Sequence, residues 1–409
     1  MIEEILSEEN LKGAYLDLVE KFDKESKTFN YAGIDGLRLS DYDTNSAELL
    51  MQVRQELIEL KPVNPTLEFY IPKNDGGKRI VYVYSVKDRL KAQAIFRVTE
   101  PYFEKNYSPY VFSYRASKPY HYAAKSIAKR YKKYLGQDTV FKSDVSDYFY
   151  SIEQDILEEK LKNIGFSEPV IEVLRLFMNN SVLRDKNITL LEKGVILGVP
   201  MICSFANLYL TDLDNEIGKQ VSLYRRVGDD FIIFDKDHEK VLRMRDRLME
   251  ETAALGLTIS EKKTEIIRSD QPFTFVGYKF DNGKIGIKDS TIRRAQIRWK
   301  RKLKYFPVSN EEKLKRLNQA LFKDGDCIHN DFVQMIICYK QANDYDQIRN
   351  IYQSFLRILT KFFFGEYSQR NQRIVLKDIL AKERVKLPSL YSYFIDIHNG
   401  RKTIAELSV

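Results

Sequence analysis

The sequence predicts an α+β protein: a split βαβ sheet with helices on one face, preceded by a helical region that carries a β-hairpin and followed by an almost wholly helical region. Three observations predict it. Between residues 136 and 288 the hydrophobic periodicity runs strand, helix, helix, hairpin, helix, strand. Upstream, "LEFYIPKNDGGKRIVYVYSV" sets two β-rich runs around a glycine-bearing turn signal. After Asp289 the strand pattern ceases and apolar residues recur at helical spacing.

Taken in order, residues 1–65 read as a helical N-terminal extension with a turn at "YAGIDG" (Tyr31 to Gly36). The hairpin opens a second region, 66–135, which from Lys87 to Leu135 is helical and rich in Lys and Tyr. The third region, 136–288, starts with "DTVFKSDVSDYFYSI", a strand that hands over to a helix near Glu153, with an insertion around 153–193. A second helix begins near Pro200, where "PMICSFANLYLTDLDNEI" places apolar residues three and four apart. "LYRRVGDDFIIF" then reads as two short strands about a Gly-Asp turn, and "KDHEKVLRMRDRLMEETAALGL" as a helix with a Gly stop. "TISEKKTEII" reads as a strand with an exposed edge, "FTFVGYKF" and "KIGIK" as two more, and 289–409 as helix. No internal repeat or low-complexity segment interrupts the chain.

At 409 residues, with 44% hydrophobic content, 24 Phe and 26 Tyr, the chain has the length of two or three domains and the composition of a folded protein. Its 66 Lys+Arg exceed its 58 Asp+Glu, and the resulting +8 favours a polyanionic partner where the charge is clustered. It is clustered in "TIRRAQIRWKRKLK", Thr291 to Lys304, which has seven basic residues and no acidic one; alone, such a run is equally a solvated helix face. Cys203, Cys327 and Cys338 are few and far apart, which argues against a disulfide framework or zinc site and fits a reducing, cytoplasmic home. The acidic, helically patterned start is unlike a signal or transit peptide, and no apolar run reaches the ~18 to 20 residues of a membrane span, so no membrane partner is expected. His121, His238, His329 and His398 lack metal-ligand spacing and receive no role.

The chemistry is expected from carboxylates. Asp144 ends an apolar strand, and Asp229 and Asp230 sit at the tip of a hairpin that can neighbour it in a split βαβ sheet. Three carboxylates at one strand end repel one another unless cations lie among them, and hard divalent ions take oxygen ligands. Two such ions about 3.5 to 4 Å apart would activate a hydroxyl and stabilise a leaving oxygen in phosphoryl transfer. Each signal alone has a structural reading: Asp144 as a helix cap or turn residue, Gly228 as the positive-φ residue of a tight hairpin.

The ordered set of motifs resembles the palm of reverse transcriptases, particularly the bacterial retroelement type of group II introns, retrons and the phage-defence or abortive-infection enzymes. "SDVSDYFYSI" is similar to their first catalytic motif, with Asp144 as metal ligand and Phe149 at the steric-gate position. "GVILGVPMICSFANLYLTDLD" resembles the second, with Gly194 and Gly198 at its glycines and Ala206 to Leu210 with Asp214 in its helix. "RVGDDF" resembles the Tyr-x-Asp-Asp motif, "GLTISEKKT" the lysine-bearing strand after it, and "FVGYKF" the primer-grip hairpin. The likeness extends upstream through "YAGIDG", "IPKNDGGKR", "DRLKAQAI", "EPYFE" and "SYRASKPYHYA", and covers roughly residues 30 to 290.

The resemblance implies a right-hand polymerase fold: an N-terminal helical extension (1–65), fingers (66–135), a ferredoxin-like split βαβ palm (136–288, with the insertion around 153–193 assigned to the fingers), and an α-helical thumb with C-terminal extension (289–409). It implies RNA-directed DNA synthesis with two Mg²⁺ ions, Mn²⁺ being an alternative, held by Asp144 and Asp229 with Asp230 assisting. Lys263 is expected to protonate the leaving pyrophosphate. Lys73, Lys78 and Arg79 flank a hairpin tip able to fold over the nucleotide, and Phe149 and Gly198 complete the nucleotide site. Arg115 and Lys118 are expected to meet the triphosphate or the template, with surface solvation as the alternative. Arg293, Arg294, Arg298, Lys300 and Arg301 would contact duplex phosphates without reading sequence, and Trp299 would stack or anchor that helix. Expected partners are an RNA template, of non-coding type in a defence role, a DNA product and dNTPs, with a homo-oligomer or companion defence protein left open.

Four positions depart from the family pattern. Ile196-Leu197 stand where Pro-Gln is usual, so a polar contact to nucleotide or template is missing, and Val227 and Gly228 replace the usual aromatic and larger residue. Gly-Asp-Asp is also a common form of the RNA-dependent RNA polymerase hairpin, which is the rival reading. Phe149 speaks against it, because an aromatic wall clashes with a 2′-hydroxyl that a polar residue would hydrogen-bond. A palm retained only as a nucleic-acid-binding scaffold is the third reading, and the three aspartates argue against it.

Overall fold

Runs of β-branched and aromatic residues form Thr66–Pro72 (β1) and Lys78–Val83 (β2), which pair antiparallel from Leu67 opposite Val83 to Pro72 opposite Lys78. In this computed structural model, which describes residues 1–25, 31–42, 44–72, 77–178, 181–323, 327–382, 387–402 and 406, the hairpin extends into a larger sheet. The strand Thr139–Ser146 (β3) lies elsewhere, but Ser181–Arg184 (β4) pairs parallel to β1 and Asn187–Leu190 (β5) antiparallel to β4, giving the order β2-β1-β4-β5.

The second sheet holds β3 at its centre. Leu223–Val227 (β6) and Asp230–Asp235 (β7) form a hairpin, β7 pairs antiparallel with β3, and Thr258–Ile259 (β8) pairs with the far end of β3, in the order β6-β7-β3-β8. β3 is buried along most of its length, which its near-continuous apolar run requires. The helix His238–Ala254 packs on β3, β7 and β8. The run "TISEKKTEII", expected as one strand, is broken: after β8 come a 3₁₀ turn, Glu261–Lys263, and a further strand, Glu265–Arg268 (β9). Side-chain hydroxyls break the ladder, since Thr264 Oγ1 donates to the Ser260 carbonyl at 2.8 Å and lies 2.7 Å from Ser143 Oγ.

The chain divides into two units that cut across the expected boundaries at 65, 135 and 288. One comprises Met1–Pro119 and Thr139–Ile266, the other Tyr120–Asp138 and Ile267–Val409. In the first, residues 1–65 are not an appendage: Asn10 Nδ2 donates to the Ala94 carbonyl at 2.9 Å inside the long helix Val86–Asn106, and Leu11, Leu49 and Val53 enter the same core as Leu90 and Phe205.

In the second unit, Phe273–Phe275 (β10), Tyr278–Asp281 (β11) and Lys284–Ile287 (β12) form an antiparallel sheet. "FTFVGYKF", read as a single strand within the sequence and as a hairpin from its family motif, is a hairpin: Val276 and Gly277 take φ of +42° and +83°, the pattern of a type I′ turn. The helix Tyr120–Lys133, expected with the fingers, belongs here because the Tyr131 ring meets Phe273 and Phe280 edge-on and its hydroxyl accepts from the Gly283 N–H at 2.9 Å. The helices Asp289–Lys302, Ile328–Cys338 and Tyr345–Phe364 then close a core around Trp299, Phe332 and Phe355. Among the described residues no helix is long and apolar enough to cross a membrane.

Candidate active site at the carboxylate hairpin

Pairing of β3 with β7 puts Asp144 directly opposite Asp230, and the two-residue turn joining β6 to β7 is Gly228-Asp229. Gly228 takes φ +68° and Asp229 no positive φ, the distribution of a II′ rather than a I′ hairpin turn, so glycine is required at the first position only. The Asp229 carbonyl accepts from the Val145 N–H at 3.1 Å, and the Asp144 carbonyl accepts from the Ser260 N–H at 2.9 Å. Three carboxylates are thereby fixed to one end of a sheet by backbone hydrogen bonds.

Lys263, carried by the 3₁₀ turn that interrupts the expected strand, donates to Asp144 Oδ2 in an ion pair. That bond, with the charges of Asp144, Asp229 and Asp230, raises the Lys263 pKa above its ordinary value despite partial burial. Burial pushes the Asp229 carboxyl up, and the neighbouring Asp144 charge adds to this against the opposing effects of a backbone hydrogen bond, Lys263 and Arg226. Asp144 is buried, and its Oδ1 has no hydrogen-bond partner in the structure. Among the described residues no three His, Cys, Asp or Glu side chains are gathered as a ready-made metal cage. The donor chemistry still fits a hard divalent cation: all-oxygen donors on rigid strand ends, an excess of negative charge, and one buried carboxylate oxygen unspent.

The loop carrying Gly194 and Gly198 docks behind this edge. The Gly194 N–H donates to the Ile152 carbonyl and the Val195 N–H to the Phe149 carbonyl, both at 2.8 Å. A Cβ on Gly194 (φ +83°) would fall 2.7 Å from the Tyr150 carbonyl oxygen, and one on Gly198 would fall 3.0 Å from the Tyr84 ring, so close approach demands both glycines. Ile196 is fully buried and its carbonyl accepts from the Tyr84 hydroxyl at 2.8 Å, while Leu197 packs half-buried on the same core. The apolar pair that replaces Pro-Gln is thus spent on packing. Phe149 is half-buried on the short helix Tyr148–Ser151, just beyond β3.

The remaining expected contacts divide. Lys73 lies outside the described residues. Lys78 is exposed with its ammonium 5.4 Å from the Tyr70 ring centre, and Arg79 is exposed opposite Ile71. Arg115 is buried, bonded twice to Glu104 through Nε (3.1 Å) and Nη2 (2.7 Å), and its Nη1 donates to the Ser108 and Val111 carbonyls. Its donors are spent on Glu104 and on the carbonyls of its own loop. Lys118 is half-buried near Glu104. In the second unit, Arg293, Arg294, Arg298, Lys300 and Arg301 are all exposed, although Arg298 is paired with Asp331 at 2.7 Å. Trp299 is fully buried with its indole N–H on Asp331 Oδ2 at 3.0 Å, which makes it an anchor and not a stacking platform.

Arg226 was not singled out by sequence reasoning. It is buried, and its Nε and Nη2 bind the two Asp214 oxygens at 2.8 and 2.7 Å while Nη1 donates to the Gly228 carbonyl at 2.9 Å. The available signal was an arginine inside an apolar strand run, two residues before the glycine of the turn.

A split sheet presenting three aspartates at one strand end defines the palm of a nucleic-acid polymerase. More narrowly, the chain belongs to the reverse transcriptase (RNA-dependent DNA polymerase) family, whose model matches residues 71–280, just over half of the chain. It is 25% identical over 142 residues to Protein YkfC of Escherichia coli (strain K12), a stretch that is 34% of this chain and spans only 37% of that protein. Among solved structures it is similar to a telomerase from Candida albicans in complex with a TWJ fragment of telomeric RNA (13% identity, 83% of this chain and 67% of that one, TM-score 0.46). Apo telomerase from Candida tropicalis is similar at 13% identity over 84% of this chain and 64% of that one, with a TM-score of 0.48.

Proposed function

We propose that the protein is an RNA-directed DNA polymerase that adds dNTPs to a DNA or RNA 3′-end, or to a protein hydroxyl, on an RNA template. The observation that supports this most is the convergence of Asp144, Asp229 and Asp230 on one strand end, with a buried Asp144 oxygen left without a partner. Asp144 and Asp229, with Asp230 beside them, would hold two Mg²⁺ or Mn²⁺ ions, which when bound supply activation of the attacking hydroxyl and charge neutralisation at the leaving oxygen.

The chain's own residues do the rest. Lys263, kept protonated by its bond to Asp144, holds a proton at Nζ beside the carboxylates, available to a departing pyrophosphate. Phe149 presents a ring without hydrogen-bonding groups next to Asp144's strand and excludes a 2′-hydroxyl. Exposed Lys78 and Arg79 draw in a triphosphate, and the basic face of the helix Asp289–Lys302 draws in phosphodiester backbone.

Purified protein with its co-purifying RNA, given labelled dNTPs or NTPs and Mg²⁺, is expected to incorporate dNTPs, and Asp229→Ala to abolish incorporation. Preference for NTPs would instead establish an RNA-dependent RNA polymerase, and RNA binding without incorporation a scaffold. The family likeness supports a place in antiviral defence with a non-coding RNA template; equal phage plaque counts with wild type and Asp229→Ala would remove that role.

A further inference from the structure

Tyr114 is strained, exposed and beside the catalytic turn. Its φ is +54°, a left-handed conformation that a tyrosine adopts only when its surroundings impose it. The surroundings do so from both sides. Residues 110–112 run along β6, with the Arg226 N–H on the Tyr110 carbonyl at 3.0 Å and the Phe112 N–H on the Arg226 carbonyl at 2.9 Å. Ser113 is clamped by Asn207, whose Nδ2 donates to the Ser113 carbonyl at 2.7 Å and whose Oδ1 accepts from the Ser113 hydroxyl at 2.9 Å. Arg115 is clamped by Glu104 and two carbonyls as described.

Between these clamps the Tyr114 residue remains 54% exposed, so burial does not repay the strain. Its ring stands edge-on to Phe149 with centroids 6.4 Å apart, and its hydroxyl lies 3.7 Å from where a Cβ on Gly228 would sit. Partial burial, with the nearby Cys203 and Asp229 adding to it, pushes the Tyr114 hydroxyl up to about 12. A Cβ at 228 would sit in ordinary van der Waals contact with the Tyr114 hydroxyl, so only a side chain reaching beyond Cβ would compete with Tyr114 for this space.

We propose that Tyr114 is a specificity-determining residue of the nucleotide site: with Phe149 it forms the aromatic wall that Val227 and Gly228 do not provide, and it packs against the sugar of an incoming deoxynucleoside triphosphate. The turn geometry requires a glycine at 228, so the wall is supplied from a different segment of the chain. This rests on the polymerase reading of the carboxylate site.

The test compares wild type, Tyr114→Ala and Tyr114→Phe by steady-state dNTP and NTP incorporation and by equilibrium binding of 2-aminopurine deoxyriboside triphosphate, followed by fluorescence. Tyr114→Ala is expected to raise the dNTP KM and the Kd of the analogue about tenfold and to lower selectivity against NTPs, with kcat changed by about threefold or less. Tyr114→Phe, which keeps the ring, is expected to restore wild-type values. Unchanged KM and Kd, or a loss confined to kcat and equal for dNTPs and NTPs, would overturn the proposal and leave Tyr114 a prop for the turn. If wild type binds the analogue yet incorporates nothing, the polymerase reading fails while the Kd comparison still decides the role of Tyr114; if wild type binds no analogue, both fail.

Discussion

Arg226 and Asp214 form a fully buried, doubly hydrogen-bonded ion pair directly behind the carboxylate turn. Asp214 also accepts from the Tyr224 hydroxyl at 2.8 Å, and the third arm of Arg226 holds the Gly228 carbonyl, so one guanidinium ties the helix Thr211–Gln220 to the residue that precedes Asp229. The pair's attraction outweighs the burial that would otherwise discharge Arg226.

Removing one partner leaves a buried charge uncompensated, at a cost of about 3–5 kcal/mol. Asp214→Ala and Arg226→Ala are each expected to lower urea-unfolding stability by that amount, and the double variant by less than the sum. Additive losses would show that the two charges do not depend on each other.

The loop at Gly194 supplies a second prediction. Gly194→Ala places a Cβ against the Tyr150 backbone in a positive-φ conformation, and the strain is expected to cost about 1–3 kcal/mol. Gly165→Ala is the control, because its φ is also positive (+94°) but a Cβ there meets nothing within 4 Å. Gly194→Ala should lose more stability in thermal unfolding than Gly165→Ala; equal losses would assign the effect to φ alone.

These residues show what the sequence could and could not convey. The alternation in β6 and β7 and the apolar run of β3 made the central sheet legible, because strand burial imposes period and composition locally. The break in "TISEKKTEII" was not legible, since it depends on Ser143 and Asp144 of a distant strand. The allegiance of Tyr120–Lys133 rests likewise on ring contacts to residues more than 100 positions away. That Asp144, Asp229 and Asp230 share one strand end could be read from order and spacing. The burial of Arg115 was not legible, because an arginine in a loop reads as solvated until Glu104 and the two carbonyls are seen to take its donors.

Acid sensitivity has a traceable contributor in Glu158. Hydrogen bonds first from Arg175 and then from Lys162 hold its carboxyl at about 2, against an ordinary 4.5. A folded-state pKa below the unfolded one means that the contribution is complete above pH 4.5 and is lost as pH falls toward 2. Glu158→Gln is therefore expected to be less stable than wild type at neutral pH and to converge with it in urea midpoints between pH 4.5 and 2. A constant difference across that window would place the effect in packing.

Phe149→Ala should relax exclusion of ribonucleotides, since it removes the ring beside Asp144's strand without touching the carboxylates. The measurement is the ratio of kcat/KM for dNTP and NTP. An unchanged ratio would assign the selectivity elsewhere.

The basic helix Asp289–Lys302 offers the last prediction, in which its cations are not equivalent. Arg293, Arg294, Lys300 and Arg301 are exposed, whereas Arg298 shares Asp331 with the buried Trp299 indole, so its charge is already compensated and its position tied to the core. Each phosphate contact made by a free cation releases condensed counterions and steepens the salt dependence of duplex binding by about 0.9 in log–log slope. Replacing Arg293, Arg294, Lys300 and Arg301 with Gln should therefore reduce the slope by about 3 to 4 and weaken binding uniformly across sequences. Arg298→Gln should change the slope by less than any of these singly and should instead lower stability, because Asp331 loses a partner while still buried against Trp299. Fluorescence anisotropy with a labelled RNA–DNA duplex over a salt series separates the two behaviours, and a full unit of slope lost on Arg298→Gln would show that the Asp331 pair opens to release the arginine onto phosphate.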